Sequence, residues 1–175
     1  AIVLGPDALD AVLTQANVRA RDNYGNAPLA IAVGLKAAPD AVAMIIAKGS
    51  DVNARNNAGD AALHIAVRQG LRPQGEALLL AKADIFASNV RGDSPLSLAL
   101  TLTAVGGPVD WLFTPGSIAA KDANGDTPLH HAVALPAASA GRRDRAEIAR
   151  GLLAHGADPG AANDQGETPL HLAAR

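Results

Sequence analysis

The chain has 175 residues, 49% hydrophobic and 18% charged, so there is ample apolar material for a core. Fifteen basic against seventeen acidic residues give a formal net charge of -2, and only 2% of residues are aromatic; the positive field and stacking platforms of single-stranded nucleic-acid binders are both missing. The absence of Cys excludes structural disulfides, cysteine-rich zinc sites and thiol catalysis, and no apolar run approaches the roughly 18 residues of a membrane helix.

Gly5-Pro6-Asp7 predicts a helix from Ala8 to Gln15 whose buried face is Leu9, Val12 and Leu13, at i, i+3 and i+4. Asn17-Val18-Arg19-Ala20 then leaves that helix much as Asp51-Val52-Asn53-Ala54 leaves a later one. From there one stretch is written five times: Gly25-Asn26-Ala27-Pro28-Leu29-Ala30, Gly59-Asp60-Ala61-Ala62-Leu63-His64, Gly92-Asp93-Ser94-Pro95-Leu96-Ser97, Gly125-Asp126-Thr127-Pro128-Leu129-His130 and Gly166-Glu167-Thr168-Pro169-Leu170-His171. The leading glycines are 34, 33, 33 and 41 residues apart, and self-similarity at that period marks a stacked repeat array. Within each copy, Gly supplies a positive-φ turn, Ser or Thr can cap a new helix, Pro suits its first position, and Leu opens an apolar face.

These motifs resemble the ankyrin repeat, in which a Thr-Pro-Leu-His helix start is coupled to a second helix ending in Leu-Leu and a Gly-Ala-Asp-Val-Asn-Ala finish. Thr168-Pro169-Leu170-His171-Leu172-Ala173-Ala174 carries the first half; Ile45-Ile46-Ala47-Lys48-Gly49-Ser50-Asp51-Val52-Asn53-Ala54 and Leu152-Leu153-Ala154-His155-Gly156-Ala157-Asp158 carry the second. The resemblance covers nearly the whole chain and implies an all-α solenoid of stacked antiparallel helix pairs with β-turn tips. It divides the chain into a partial N-terminal repeat or cap (1–21), four repeats (22–54, 55–87, 88–120 and 121–161) and a truncated repeat (162–175).

The repeats depart from the pattern in identifiable places. The first has an extra residue around Gly34-Leu35-Lys36, and in the second Lys82 stands where the family has its capping glycine. In the third, Gly106-Gly107-Pro108 leaves only Val109 to Phe113 for a second helix, which Pro115-Gly116 is expected to close, with Trp111 and a Phe filling the vacated space. The fourth carries an insertion of about eight residues, Pro136 to Arg143; this segment and the third repeat are expected to be the least stable part of the array.

His64, His130 and His171 share one repeat position, where the resemblance implies hydrogen bonds to local backbone and to the adjoining repeat; helices packed about 8–10 Å apart hold them too far apart to ligate one metal ion. His131 falls where the other repeats have Ile or Leu, which leaves open a satisfied core histidine or a local opening made by the insertion. Ser94, Ser97, Asp126 and His130 come nearest to a hydrolase set, yet each sits at a position that cap or turn function already explains. Asn26, Asp60, Asp93, Asp126 and Glu167 follow the turn glycines and would align as an acidic ridge, read either as complements of the helix dipoles or as a surface for a cationic partner. Arg142, Arg143, Arg145 and Arg150 concentrate basic charge near the insertion, as a solvated face or as a contact for an anion or an acidic partner.

The expected function is noncatalytic binding of a protein or peptide, with no cofactor, metal or nucleic acid and no insertion into a membrane. By resemblance the contact residues are Asn23, Tyr24, Asn26, Asn57, Ala58, Asp60, Val90, Arg91, Asp93, Ala123, Asn124, Asp126, Gln165 and Glu167 at the tips, and Arg68, Gln69, Thr101 and Leu102 at the ends of first helices; Arg142 and Arg143 join them from the insertion. The alternative is a positioning arm of a larger multidomain enzyme or channel. The missing initiator Met and the end at Arg175, inside a first helix, predict an excised or truncated piece of a longer polypeptide. The array is expected to be monomeric, and its compartment is open, cytoplasmic being favoured over extracytoplasmic.

Overall fold

The computed structural model describes residue 14 and residues 17–102, 110–135 and 145–175. The predicted helix from Ala8 to Gln15, the Gly106-Gly107-Pro108 break and the insertion with Arg142 and Arg143 lie outside the described residues, apart from Thr14. The chain falls into two compact units, Ala1–Pro95 and Leu96–Arg175. Among the described residues every regular element is helical.

In the first unit α1 (Pro28–Gly34) and α2 (Pro39–Ala47) form one helix pair, and α3 (Ala62–Gln69) and α4 (Arg72–Leu80) the next. First helix packs on first helix and second on second. Leu29, Val33, Leu63, Ala66 and Val67 bury the first-helix layer, and Val42, Ile45 and Leu78 the second. Small residues between the leucines let the helices approach closely. A short 3₁₀ turn, Asn17–Arg19, packs on α1 and buries Val18. Pro starts α1 and α2, where its missing N–H costs nothing. Two lysines do the work of glycines: Lys36 at φ +57° and Lys82 at φ +64° close their turns in the left-handed region, as Gly49 and Gly70 do elsewhere. Lys82 keeps the turn its register predicts, at a left-handed strain of about 1 kcal/mol.

In the second unit α5 (Pro95–Leu102) is followed by a 3₁₀ turn at Asp110–Leu112 and a one-turn helix, α6 (Pro115–Ile118). Here the structure corrects the sequence reading. Pro115 starts a helix and does not close one, because Thr114 is an N-cap whose hydroxyl accepts from the Ser117 N–H, and Pro115 is the first helical residue. Trp111, Leu112 and Phe113 are buried, so bulky side chains do replace the missing helix, and Phe113 meets the His155 ring edge-on. Next, α7 (Pro128–Ala134) packs on α8 (Arg145–Ala154) and on α9 (Pro169–Ala173). Leu129, Ala132, Ile148 and Leu152 form that core. No helix among the described residues is long and apolar enough to cross a membrane.

Candidate functional site

Each turn tip is built from one side chain. Asp22, Asn56, Asn89, Asp122 and Asn163 stand three residues before the turn glycine, and each oxygen accepts the backbone N–H groups two and four residues on, at 2.8–3.0 Å. The glycine then turns the chain at φ from +76° to +82°. Neighbouring tips are joined by backbone bonds: Asn57 N–H donates to the Tyr24 carbonyl (2.9 Å), Val90 N–H to Ala58 (3.0 Å) and, in the second unit, Asp164 N–H to Asn124 (3.0 Å).

Three of the asparagines also reach sideways. The Asn56 amide nitrogen donates to Asn26 Oδ1, that of Asn89 to Asp60 Oδ1 and that of Asn163 to Asp126 Oδ1, all at 2.8 Å. At Asn26, Asp60 and Asp126 the residue after the turn glycine is thus a lateral fastener, bonded to the next repeat. This overturns the picture of Asp60 as part of an exposed ridge: it is 7% exposed, with one oxygen on Asn89 and the other on Arg68. Burial pushes its carboxyl upward, but the hydrogen bonds from Asn89 and Arg68 outweigh this and hold it below the ordinary carboxylate value.

The histidines complete the lateral joints. Ala61 N–H donates to His64 Nδ1 (3.1 Å), and Thr127 donates to His130 Nδ1 through both its N–H (3.1 Å) and its hydroxyl (2.9 Å). The other ring nitrogen must then carry the proton, and it donates to the next repeat, from His64 to the Asp93 carbonyl (3.2 Å) and from His130 to the Glu167 carbonyl (3.0 Å). The threonine at this helix start also holds the imidazole, Thr127 Oγ1 lying 2.9 Å from His130 Nδ1. Burial is the main cause that depresses the His64 pKa, against the opposing pull of the Asp93 carbonyl and the Asp60 carboxylate. His171 keeps the local bonds to Thr168 but is exposed. His131, the odd residue, lies on the surface side of α7, where its Nε2 meets Asp122 Oδ2 at 3.0 Å. It is a partnered surface-facing ring and not a core histidine.

Outermost at each tip is a pair of exposed positions, of which Asn57 also donates to the Asn23 carbonyl and Arg91 pairs with Asp93. Asn23, Tyr24, Asn57, Ala58, Val90, Arg91, Ala123, Asn124 and Gln165 are all exposed, Tyr24 and Val90 by 76% and 77%. Asn26, Asp93, Asp126 and Glu167 are half-buried. Arg68 and Gln69 are exposed at the end of α3, and Thr101 is half-buried with its hydroxyl donating to Ser97 O; Leu102 is the last residue of α5. The sequence reading missed two exposed residues. Asp164 occupies the register position of Asn23 and Asn57, a signal available in the alignment of the repeats, and Ile31 on α1 is 38% exposed. Among the described residues no group of three or more His, Asp or Glu side chains is arranged to hold a metal ion.

Family models for ankyrin repeats match residues 12–66, as many copies, and 124–164, as a single repeat. The chain belongs to the ankyrin repeat family. Among solved structures it is similar to the ankyrin repeat domain of Bcl-3, described as a unique member of the IkappaB protein family. The match has 27% sequence identity and a TM-score of 0.62 and covers 94% of this chain and 69% of that one. Comparison with curated proteins gives no match. The fold is accordingly an all-α ankyrin solenoid, and ankyrin repeats are in general protein–protein interaction modules, typically noncatalytic.

Proposed function

We propose that this ankyrin array binds a protein or peptide partner through its turn tips and the adjoining faces of its first helices, without catalysis. The observation that carries this reading is the division of labour inside each tip. Asp22, Asn56, Asn89, Asp122 and Asn163 are consumed in holding the turns, and of the next two positions the tip-to-tip bonds take backbone groups and one side chain, Asn57, whose amide nitrogen donates to the Asn23 carbonyl at 3.3 Å. Side chains as unlike as Tyr24, Ala58 and Arg91 therefore stand at one register on a rigid frame. A frame that fixes the backbone and leaves side chains unconstrained is suited to recognition, since ordering costs on binding are small. Tyr24, an aromatic anchor at 76% exposure, is the leading contact in the first unit.

The test is a pull-down from the native source with the wild-type chain and with a variant carrying Tyr24→Ser, Val90→Ser and Gln165→Ser together. A specific binder should be lost with the variant while its helical circular dichroism and melting temperature stay unchanged. Retention of every wild-type binder by the folded variant would refute a tip-centred surface.

A further inference from the structure

We infer that the carboxylate of Asp126 is a receptor for a guanidinium group supplied by the partner, an inference that rests on the tip-binding reading above. The argument is an internal comparison of equivalent tip acids. Asp60 is paired with Arg68, eight residues on at the end of its first helix; Glu167 is paired with Arg175, again eight residues on; and Asp93 is paired with Arg91 at 3.4 Å. The one neutral residue at this position, Asn26, has Gly34 eight residues on, so no charge is required there. Asp126 is acidic, yet the residue eight positions on is Ala134, exposed at the end of α7. Among the described residues no basic side chain pairs with it.

The carboxylate is nonetheless preorganised. Asn163, itself 8% exposed, donates to Asp126 Oδ1 at 2.8 Å and fixes the orientation of the group, while Asp126 N–H is held by Asp122. The neighbouring cationic candidate, His131, is engaged by Asp122 at 3.0 Å. In the second and fifth repeats an arginine eight residues on reaches the tip acid, whereas in the fourth that position is Ala134, whose side chain ends at Cβ. Arginine fits better than lysine because a planar fork can bond a fixed carboxylate oxygen while lying over the small alanine. The second and fifth repeats close this corner with their own chain; the fourth leaves it to a ligand.

The experiment uses the full chain and two-dimensional amide NMR. The probe is N-acetyl-arginine amide, and N-acetyl-citrulline amide serves as its neutral isostere. Saturable shifts are expected at Asp126, Thr127 and Asn163 with the arginine probe and not with citrulline. They should weaken about tenfold in Asp126→Asn, which keeps the oxygen that Asn163 needs, just as Asn26 does for Asn56. Ala134→Arg should abolish them by filling the slot in cis, with a rise in melting temperature. Absence of saturable shifts, or equal shifts in Asp126→Asn, overturns the proposal. So does movement of the Asp126 amide on changing Arg142 and Arg143 to Ala, which would mean that the cation is the chain's own. Loss of a partner in the tip variant leaves these outcomes untouched, so the two readings fail separately.

Discussion

The corner around Asp60 in the second repeat and the corner around Asp126 in the fourth share a backbone and differ in how their side chains close it. Both acids accept an asparagine from the next repeat, and both histidines donate to the next repeat's carbonyl. The second repeat adds Arg68 across its acid but has Ala61 beside the histidine, whereas the fourth has Thr127 beside the histidine and only Ala134 near its acid. The comparison teaches that lateral fastening is what the two corners share. The arginine and threonine bonds are local additions that can be exchanged without altering the stack.

The largest expected effect separates fastening from turning. Gly125 and Gly166 both have φ near +77°, but a Cβ on Gly125 would meet Asp164 Oδ1 at 2.5 Å and its backbone nitrogen at 2.8 Å, while one on Gly166 meets nothing within 4 Å. Gly166→Ala should cost the left-handed strain alone, about 1–2 kcal/mol. Gly125→Ala should cost about 2 kcal/mol more, since tip and tip must separate. Denaturant midpoints measure both, and equal losses would show that the tips are not packed against each other as described.

Next in size is the loss of an arginine. Arg68→Ala strands a buried carboxylate and should cost about 1–3 kcal/mol, whereas Arg72→Ala removes only an exposed pair with Glu76 and should cost less than about 0.5 kcal/mol. Urea titrations of the two variants decide whether burial of Asp60 matters.

The pH dependence follows from His64. Its folded pKa is depressed below the ordinary value of 6.5, so the unfolded chain binds more protons in the interval between them, and stability rises with pH there. This contribution is fully present above about pH 6.5 and declines as pH falls from there towards the depressed value. His64→Gln should flatten the slope of unfolding free energy against pH over that interval. An unchanged slope would mean that another group governs it.

The smallest effects come from exchanging the additions. Thr127→Ala removes the hydroxyl bond to His130 and should cost about 1 kcal/mol, and Ala61→Thr, which copies the fourth repeat into the second, should gain up to about the same amount. Thermal unfolding resolves both signs.

The fold was legible because the repeat is written in residues with strong local meaning: Gly for the turn, Pro for the helix start, Leu and Ala for close packing. Those signals placed α1, α3, α5, α7 and α9 correctly, and Lys82 could be located at a positive φ by register alone. The third repeat misled because Pro115 reads equally as a stop or a first helical residue, and only the cap made by Thr114 with Ser117 settles which. The tip acids were harder. Their position beside a helix N-terminus supplied a sufficient local explanation, while their true partners, Asn89 and Asn163, are 29 and 37 residues away. A side-chain bond across repeats leaves no trace in the periodicity of either repeat. Yet the recurrence of Asn at one register, at 56, 89 and 163, was the available clue.

The central claim, that the tip acids fasten one repeat to the next, is tested most directly by a double-mutant cycle on Asp126→Ala and Asn163→Ala. Among the described residues no arginine pairs with the Asp126 carboxylate, so the cycle isolates the Asp126–Asn163 bond. Urea unfolding of the four proteins should give a coupling energy of about 1–3 kcal/mol. A coupling indistinguishable from zero would mean that the two side chains act independently, and that the acids serve their own helices after all.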